Sequence, residues 1–194
     1  LDRKADAIIC NHISWLDIIV LLSTCDIVFV SKSEVKNWPG FGFLAQLGDT
    51  VFIERKTMSA RIHLKQISKR LAQSQKLCIF AEGTSSDGMS VLPFKSSLFD
   101  VFTSFKKKSQ EDVLLQPVSI YYKAPKSKKK DFYGWWGSMS IISHIIKILC
   151  LSSGSVILRF HKPFDSKDFS NRKELAIAVE SIISKDISNQ ILNN

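Results

Sequence analysis

Short apolar runs alternate with longer segments of mixed polarity along this 194-residue chain. Such runs are typical of strands that are buried on both faces of a sheet. The runs are Ala7–Cys10, Ile27–Val30, Val51–Ile53, Leu77–Phe80, Val113–Tyr122 and Val156–Phe160. Between them, Met58–Gln75 and Arg172–Ile187 place apolar residues at helical spacing, with polar residues opposite. The alternation predicts an α/β fold.

The segment Trp135–Leu151 is richly apolar, with paired Trp residues and an Ile/Leu face that carries only His144 and Lys147. One interpretation is a helix of the core. The other is an interfacial helix or a wall against an acyl chain, because Trp and aliphatic side chains suit both settings. The sequence alone does not separate the two.

No internal repeat and no long Pro/Gly/Ser linker divides the chain, so we predict one domain over residues 1–194. The chain begins at Leu1 rather than Met, and we expect an N-terminal segment to precede it in the native protein. His12, Asp17 and Asp26 interrupt the apolar region near the N-terminus, so no stretch of the sequence reaches the length of a membrane-spanning helix.

The composition is that of a basic protein, with 27 Lys and Arg against 18 Asp and Glu and a net charge of +9. This charge favours an anionic partner: a membrane, a phosphorylated metabolite or nucleic acid. Two Lys runs, 106–108 and 126–130, contribute to it. The four cysteines lie far apart, without the spacing of a zinc site or a disulfide framework, which fits a reducing compartment.

The first candidate motif is Asn11-His12-Ile13-Ser14-Trp15-Leu16-Asp17, directly after the first predicted strand. Five residues on one helix correspond to about 140° of rotation, so His12 and Asp17 meet only if His12 precedes the helix. A capping box formed by Ser14 and Asp17 would start the helix at about Trp15. His12 would then lie on the turn, where Asp17 can orient its imidazole as a general base. The alternative is a simple helix cap beside a turn histidine.

Two further motifs also follow strands. Phe80-Ala81-Glu82-Gly83-Thr84-Ser85-Ser86-Asp87-Gly88 has the glycines and small hydroxyl residues that let backbone amides converge on an anion, although it is equally an ordinary turn. Val51–Arg55 ends in an acid and a guanidinium, which can bind phosphate with two hydrogen bonds or form a surface salt bridge. No G-x-S-x-G motif occurs, so a Ser nucleophile is not predicted.

These segments, in this order, resemble the lysophosphatidic acid acyltransferase family, the PlsC type of glycerolipid acyltransferase. His12–Asp17 matches its H-x-x-x-x-D block, Val51–Arg55 its second block, and Phe80–Thr84 its F-P-E-G-T block. Leu114–Val118 matches a fourth block, an apolar strand ending in Pro-Val. Ala81 and Glu54 stand where the family more often has Pro and Asp.

The resemblance implies a single-domain glycerolipid-acyltransferase-like fold, with a mixed β-sheet flanked by helices. It also implies transfer of an acyl group from acyl-CoA or acyl-carrier protein to 1-acyl-sn-glycerol-3-phosphate, giving phosphatidic acid, with no metal and no cofactor. By the same resemblance His12 is the base and Asp17 its orienting partner, and the acceptor is bound by a group of five residues. These are Arg55, Glu82, Gly83, Thr84 and Lys95. The expected location is the cytoplasmic face of an anionic membrane, with the protein peripheral or anchored by a preceding segment.

Other functions remain open on the sequence. Within the same class, the acceptor could be another lysolipid, such as a lyso-ornithine lipid. A basic nucleic-acid-binding module lacks a zinc-finger spacing or an RNP-like motif, so we expect no nucleic-acid partner. A dinucleotide site at Gly40–Ala45 lacks the preceding strand that it requires. A catalytically silent lipid-binding relative is disfavoured by the presence of both His12 and Asp17.

Overall fold

The computed structural model describes residues 1–32, 50–53, 66–67, 69–103 and 113–193. In this part of the chain, seven strands form one sheet. They are β1 (Ala7–Cys10), β2 (Val28–Lys32), β3 (Val51–Ile53), β4 (Leu77–Phe80), β5 (Leu114–Lys123), β6 (Ser155–Phe160) and β7 (Phe164–Asp165). The strand order is β3-β2-β4-β1-β5-β6, and β7 also pairs with β5. Strands β1 to β5 are parallel to one another, whereas β6 and β7 are antiparallel to β5.

Three α-helices are described in full: α1 (Leu16–Thr24), α2 (Ile141–Leu149) and α3 (Arg172–Leu192). Short 3₁₀ turns lie at Ser96–Phe99 and Ser166–Asp168. The side chain of Asn171 accepts hydrogen bonds from two backbone N–H groups of the first turn and so caps α3. Among the described residues, no helix combines the length and the apolar character needed to span a bilayer.

The sheet is buried on both faces, and β1 lies at its centre. Ala7 and Ile9 join one apolar cluster, to which α3 contributes Leu175, Val179 and Ile183. Ile8 and Cys10 join the other cluster, with Leu21 of α1. Alternate residues of a strand point to opposite faces, so a strand between two helical layers is apolar throughout. This explains why β1 is read from the sequence without ambiguity.

The predicted α/β fold with a mixed sheet is confirmed, and all six predicted strands are present. β1, β3 and β4 have the predicted bounds, and the ends of β2, β5 and β6 differ from the predicted ones by at most two residues. The helix predicted at Arg172–Ile187 continues to Leu192. Most of the helix predicted at Met58–Gln75 lies outside the described residues, although residues 66–67 and 69–72 are helical.

One interpretation of the sequence predicted a core helix in the segment around α2. The structure shows that α2 is not a core helix. Its inner side packs on the core through Ile148 and, beyond the helix, Leu151. Its outer side exposes large apolar side chains, with Ile142 68% and Leu149 76% exposed. The reason is that the polar residue His144, rather than the most apolar stripe, faces the protein.

Candidate active site

The candidate site lies where β1 and β4 end. These strands are adjacent and parallel, and Cys10 is in register with Phe80. The loops that follow therefore leave the same edge of the sheet, the edge at which α/β proteins commonly bind ligands. His12 and Glu82 each come two residues after their strand, and the Glu82 Oε1 accepts a hydrogen bond from the His12 backbone N–H at 2.8 Å.

The turn that carries His12 is held in place from both neighbouring strands. The Asn11 side chain donates to the Ile120 carbonyl at 2.9 Å and accepts from the Ile120 N–H at 2.8 Å, so it replaces a backbone pair at the end of β1. The His12 carbonyl accepts from the Ser86 N–H at 2.9 Å. The imidazole stacks on Phe80, with ring centroids 4.1 Å apart. These contacts fix the backbone and the ring plane of His12.

Asp17 is fully buried and accepts four hydrogen bonds. Its Oδ2 lies 2.8 Å from Nδ1 of His12. The same oxygen accepts from the backbone N–H groups of Ile13 at 2.7 Å and Ser14 at 3.0 Å. Its Oδ1 accepts from the Tyr122 hydroxyl at 2.8 Å. Four donors match the lone pairs of an ionised carboxylate, which can only accept.

Because the carboxylate accepts, Nδ1 of His12 carries the proton in the neutral imidazole, and Nε2 is left as the nitrogen that can take a proton. Within the described residues, Nε2 makes no hydrogen bond, and the His12 side chain remains 16% exposed. Burial and the neighbouring Asp17 carboxylate raise the pKa of the Tyr122 hydroxyl, which therefore stays a donor. The arrangement can accept a proton on one nitrogen while the carboxylate stabilises the imidazolium.

The predicted capping box is present only in half. Asp17 reaches back to the Ser14 N–H, as the motif requires, and His12 lies on the turn before the helix as predicted. The Ser14 hydroxyl, however, accepts from the Leu16 N–H at 3.4 Å, and α1 begins at Leu16 after Trp15, whose side chain makes no capping hydrogen bond. The Asp17 carboxylate instead binds three N–H groups that precede the helix on one oxygen, so it fixes the turn that carries His12.

Glu82 is 1% exposed, and both of its carboxyl oxygens accept backbone hydrogen bonds. Oε1 binds the His12 N–H, and Oε2 binds the Leu92 N–H at 3.0 Å. Burial raises the pKa of Glu82 to about 7, against the two hydrogen bonds that lower it, and Asp17 and Asp87 add to the rise. Glu82 thus ties the loop after β4 to the turn that carries His12.

In the loop after Glu82, the amides of both glycines donate hydrogen bonds within the chain. The N–H of Gly83 donates to the Phe80 carbonyl, and the N–H of Gly88 donates to the Ser86 hydroxyl. Gly83 and Gly88 have φ angles of 68° and 74°, so glycine is used here for a left-handed turn. Thr84 is exposed in this loop.

The remaining predicted residues lie apart from this cluster or outside the described structure. The Lys95 N–H donates to the Ala81 carbonyl at 2.8 Å, but the Lys95 side chain is exposed. Arg55, the Gly40–Ala45 motif and the run Lys106–Lys108 lie outside the described residues. Within the residues that are described, no three His, Cys, Asp or Glu side chains form a group that could hold a metal ion.

Sequence reasoning missed three residues of the cluster: Asn11, Phe80 and Tyr122. Asn11 and Phe80 lie inside quoted motifs, yet only the pairing of β1 with β5 and with β4 shows that they brace the His12 turn. Tyr122 is 105 residues from Asp17 in sequence. Its one signal is that a tyrosine at an inward position of a central strand needs a partner for its hydroxyl.

The acyltransferase family model matches residues 3–121 of this chain. A lyso-ornithine lipid O-acyltransferase of Rhodobacter capsulatus is 39% identical over 178 residues, which are 91% of this chain and 64% of that protein. A 1-acyl-sn-glycerol-3-phosphate acyltransferase of Neisseria gonorrhoeae is 36% identical over 93 residues, which are 46% of this chain and 35% of that protein.

The fold is similar to the crystal structure of the LPA acyltransferase PlsC from Thermotoga maritima. The TM-score is 0.64 at 23% identity, over 98% of this chain and 68% of that one. The family model covers more than half of the chain, and it includes the strands and turns that carry His12, Asp17 and Glu82. The chain therefore belongs to the acyltransferase family, the PlsC-type glycerolipid acyltransferases that its motifs resemble.

Proposed function

We propose that this protein transfers a fatty acyl group from a thioester donor, acyl-CoA or acyl-carrier protein, to the free hydroxyl of a lysolipid, with His12 as the general base. The observation that carries the proposal is the 2.8 Å contact between His12 Nδ1 and the buried Asp17 carboxylate. It leaves Nε2 to act on a substrate proton. Family membership supplies the reaction class.

The proposed step balances without a protein nucleophile. Nε2 of His12 takes the proton of the acceptor hydroxyl as its oxygen attacks the thioester carbonyl. The new C–O bond forms, the C–S bond breaks, and the leaving thiolate takes the proton back from the imidazolium. Asp17 stays ionised and stabilises the imidazolium throughout. We expect no metal ion and no cofactor in this step.

We infer that a lyso-ornithine lipid is the preferred acceptor, with 1-acyl-sn-glycerol-3-phosphate as the second candidate. The lyso-ornithine relative from Rhodobacter matches 91% of this chain, whereas the Neisseria relative, named for the glycerol phosphate, matches 46%. The two head groups differ in charge, because ornithine carries an ammonium and a carboxylate and the glycerol lipid carries a phosphate monoester. Arg55 stays a predicted phosphate ligand and therefore separates the two acceptors.

The test is a panel of both lysolipids with acyl-CoA and acyl-carrier protein, with products identified by mass spectrometry. We expect a higher kcat/KM for the lyso-ornithine lipid than for 1-acyl-sn-glycerol-3-phosphate. A higher kcat/KM for 1-acyl-sn-glycerol-3-phosphate would make it the preferred acceptor instead. Arg55→Ala should raise KM for the phosphorylated acceptor alone. Failure of every acceptor and donor combination with a folded protein would contradict the proposed reaction.

The proposed location is the cytoplasmic face of an anionic membrane. The chain carries a net charge of +9, and its four cysteines are free thiols, which fits a reducing compartment. A lysolipid acceptor is itself a membrane component, so the protein has to act at a lipid surface.

A further inference from the structure

The outer side of α2 carries an exposed apolar stripe. Within α2, Ile142, Ile146 and Leu149 follow one another at intervals of four and three residues, which places them on one side of the helix. These three side chains are 68%, 57% and 76% exposed. Met139, 40% exposed, lies just before the helix. Trp136, 41% exposed, precedes them. We call these five residues the α2 apolar face.

Two polar side chains of α2, His144 and Lys147, are turned towards the protein and hold the helix in this orientation. His144 is 3% exposed, and its Nδ1 accepts from the indole N–H of Trp15 at 3.0 Å. Lys147 donates to the Phe132 carbonyl at 2.5 Å, with its ammonium 4.5 Å from the centre of the Phe132 ring. Rolling the apolar face inwards would break both hydrogen bonds. These two hydrogen bonds therefore keep the apolar side of α2 facing outwards.

A basic loop lies beside this helix. Residues 126–130 include four lysines, all of them exposed. The Lys128 ammonium lies 5.9 Å from the centre of the same Phe132 ring that Lys147 of α2 contacts. An uncharged aliphatic stripe with a Trp at its end and lysines beside it has the composition of a helix that lies in the interface of an anionic bilayer.

The α2 apolar face is also tied to the turn that carries His12. The Trp135 N–H donates to the Ile13 carbonyl at 2.9 Å, and the Trp15–His144 hydrogen bond joins the start of α1 to α2. Two connections therefore run from the residues next to His12 to the segment that carries the face. A lipid surface on this face would be close to the candidate active site.

We propose that the α2 apolar face and the lysines of residues 126–130 form the surface by which this protein lies on an anionic lipid bilayer. The surface brings the His12 turn to the membrane that holds the lysolipid. This assignment rests on the proposed function only for the origin of the acceptor. The lipid contact itself follows from exposure and charge.

The test uses sedimentation with vesicles of phosphatidylcholine and phosphatidylglycerol. Ile142→Glu/Leu149→Glu places two charges on the α2 apolar face. Ile177→Glu is the control, because Ile177 lies on α3 and is 68% exposed, as Ile142 is. We expect at least a roughly hundredfold loss of vesicle affinity in the first variant and a change of less than about twofold in the control.

A second experiment tests the lysines of residues 126–130. Replacing Lys126, Lys128, Lys129 and Lys130 by Gln should weaken binding to anionic vesicles by about fivefold per lysine near the surface, and should reduce the salt dependence of binding. Binding to vesicles of phosphatidylcholine alone should hardly change. Equal losses on both kinds of vesicle would remove the basic loop from the surface.

Three results would overturn the assignment. The first is unchanged vesicle binding by Ile142→Glu/Leu149→Glu, and the second is an equal loss in the α3 control. The third is a dimer of the unmodified chain in light scattering that this variant dissociates, since the face would then be a contact between two copies.

Catalysis is read separately with a short-chain lysolipid below its critical micelle concentration. The α2 variant should retain turnover on this acceptor, whereas His12→Ala should bind vesicles normally without turnover. If the unmodified chain shows no acyl transfer but the α2 variant still loses vesicle binding, the docking surface stands and the proposed function fails.

Discussion

Two histidines of the described structure lie within 4 Å of an aspartate, one on each face of the sheet. His12 Nδ1 is 2.8 Å from Asp17, on the side where α1 packs. His161 Nε2 is 3.8 Å from Asp186, a residue of α3 on the other side. Both aspartates are buried, so residue type and burial alone do not tell the two pairs apart.

The second pair even includes a serine. The Ser119 hydroxyl lies 2.7 Å from His161 Nε2. Asp186 faces this same nitrogen, at 3.8 Å. A catalytic triad needs the carboxylate on one ring nitrogen and the hydroxyl on the other. Asp186 instead forms a 2.6 Å ion pair with Arg159. Burial lowers the pKa of His161, against the effect of Asp186, and favours its neutral form.

The two pairs differ in how the carboxylate meets the ring. The hydroxyl of Ser119, a residue that is 2% exposed, lies against the same nitrogen of His161 that faces Asp186, and this aspartate is beyond hydrogen-bond distance at 3.8 Å. At His12 the carboxylate takes Nδ1, and Nε2 makes no hydrogen bond to any described residue. The comparison teaches that a working base is recognised by a carboxylate hydrogen-bonded to one ring nitrogen, which leaves the other nitrogen for a substrate, and by its place at the carboxyl edge of the sheet. A nearby aspartate is not sufficient.

The largest effect should come from the histidines themselves. His12→Ala should lower kcat by about a thousandfold or more, because it removes the proton acceptor. His161→Ala is the matched control and should change kcat by less than about twofold. Steady-state kinetics with circular dichroism as a check on folding would measure both. Comparable losses in the two variants would contradict the assignment of His12.

The aspartates should follow the same division. In Asp17→Asn, an NH₂ group faces N–H or O–H donors, and the charge that stabilises the imidazolium is lost. We therefore expect kcat to fall about a hundredfold. Asp186→Asn weakens an ion pair to Arg159, whose side chain is 52% exposed, and should cost no more than about 1 kcal/mol of stability with kcat unchanged. Retention of kcat in Asp17→Asn would show that His12 does not need its partner.

The groups that hold the two histidine backbones should differ in their response to pH. Glu82 binds the His12 N–H, whereas the neutral amide of Gln116 donates to the His161 carbonyl at 2.8 Å. The pKa of Glu82 is raised from 4.5 to about 7, so its folded state holds the proton more tightly than the unfolded chain. The resulting stability is present below pH 4.5 and is lost as the pH rises through 7.

Between pH 4.5 and 8 this loss should amount to about 3 kcal/mol, since each pKa unit corresponds to about 1.4 kcal/mol. Glu82→Gln should remove it, and Gln116→Ala should leave it in place. Urea unfolding of the three proteins at both pH values gives the comparison. A difference between the unmodified protein and Glu82→Gln that does not vary with pH would contradict the raised pKa of Glu82.

The sequence was sufficient for the framework of this site because its signals are local. An apolar strand followed by a polar turn is visible in a few residues, and it placed both His12 and Glu82 correctly at strand ends. The meeting of the two loops depends on β4 lying beside β1. That neighbour relation is set by packing over 70 residues of sequence separation, and no local pattern encodes it.

The side of α2 that faces the protein could not be predicted from the local sequence, for a different physical reason. A helix with apolar residues on several sides can bury any of them, and the choice depends on partners elsewhere in the chain. Here Trp15 and the Phe132 carbonyl bind His144 and Lys147, so the polar side faces inwards. Neither partner is recognisable until the elements are assembled.

The smallest of these effects should come from the hydroxyl groups, and it sharpens the comparison most. Tyr122→Phe removes the donor to Asp17 Oδ1 and leaves that buried oxygen without its partner, while Ser119→Ala removes the hydroxyl beside His161. We expect Tyr122→Phe to cost about 1–3 kcal/mol of stability. It should also lower kcat about tenfold with KM unchanged, because Asp17 would orient His12 less well.

Ser119→Ala should leave both kinetic constants unchanged, since His161 stays partly exposed and water can replace the lost hydroxyl. If Tyr122→Phe lowers stability but leaves kcat unchanged, Tyr122 serves the fold alone, and the carboxylate needs only its N–H donors to hold His12. If kcat falls in Tyr122→Phe but not in Ser119→Ala, Tyr122 belongs to the catalytic arrangement. That arrangement would then include β5 as well as the turn after β1, which is the neighbouring strand.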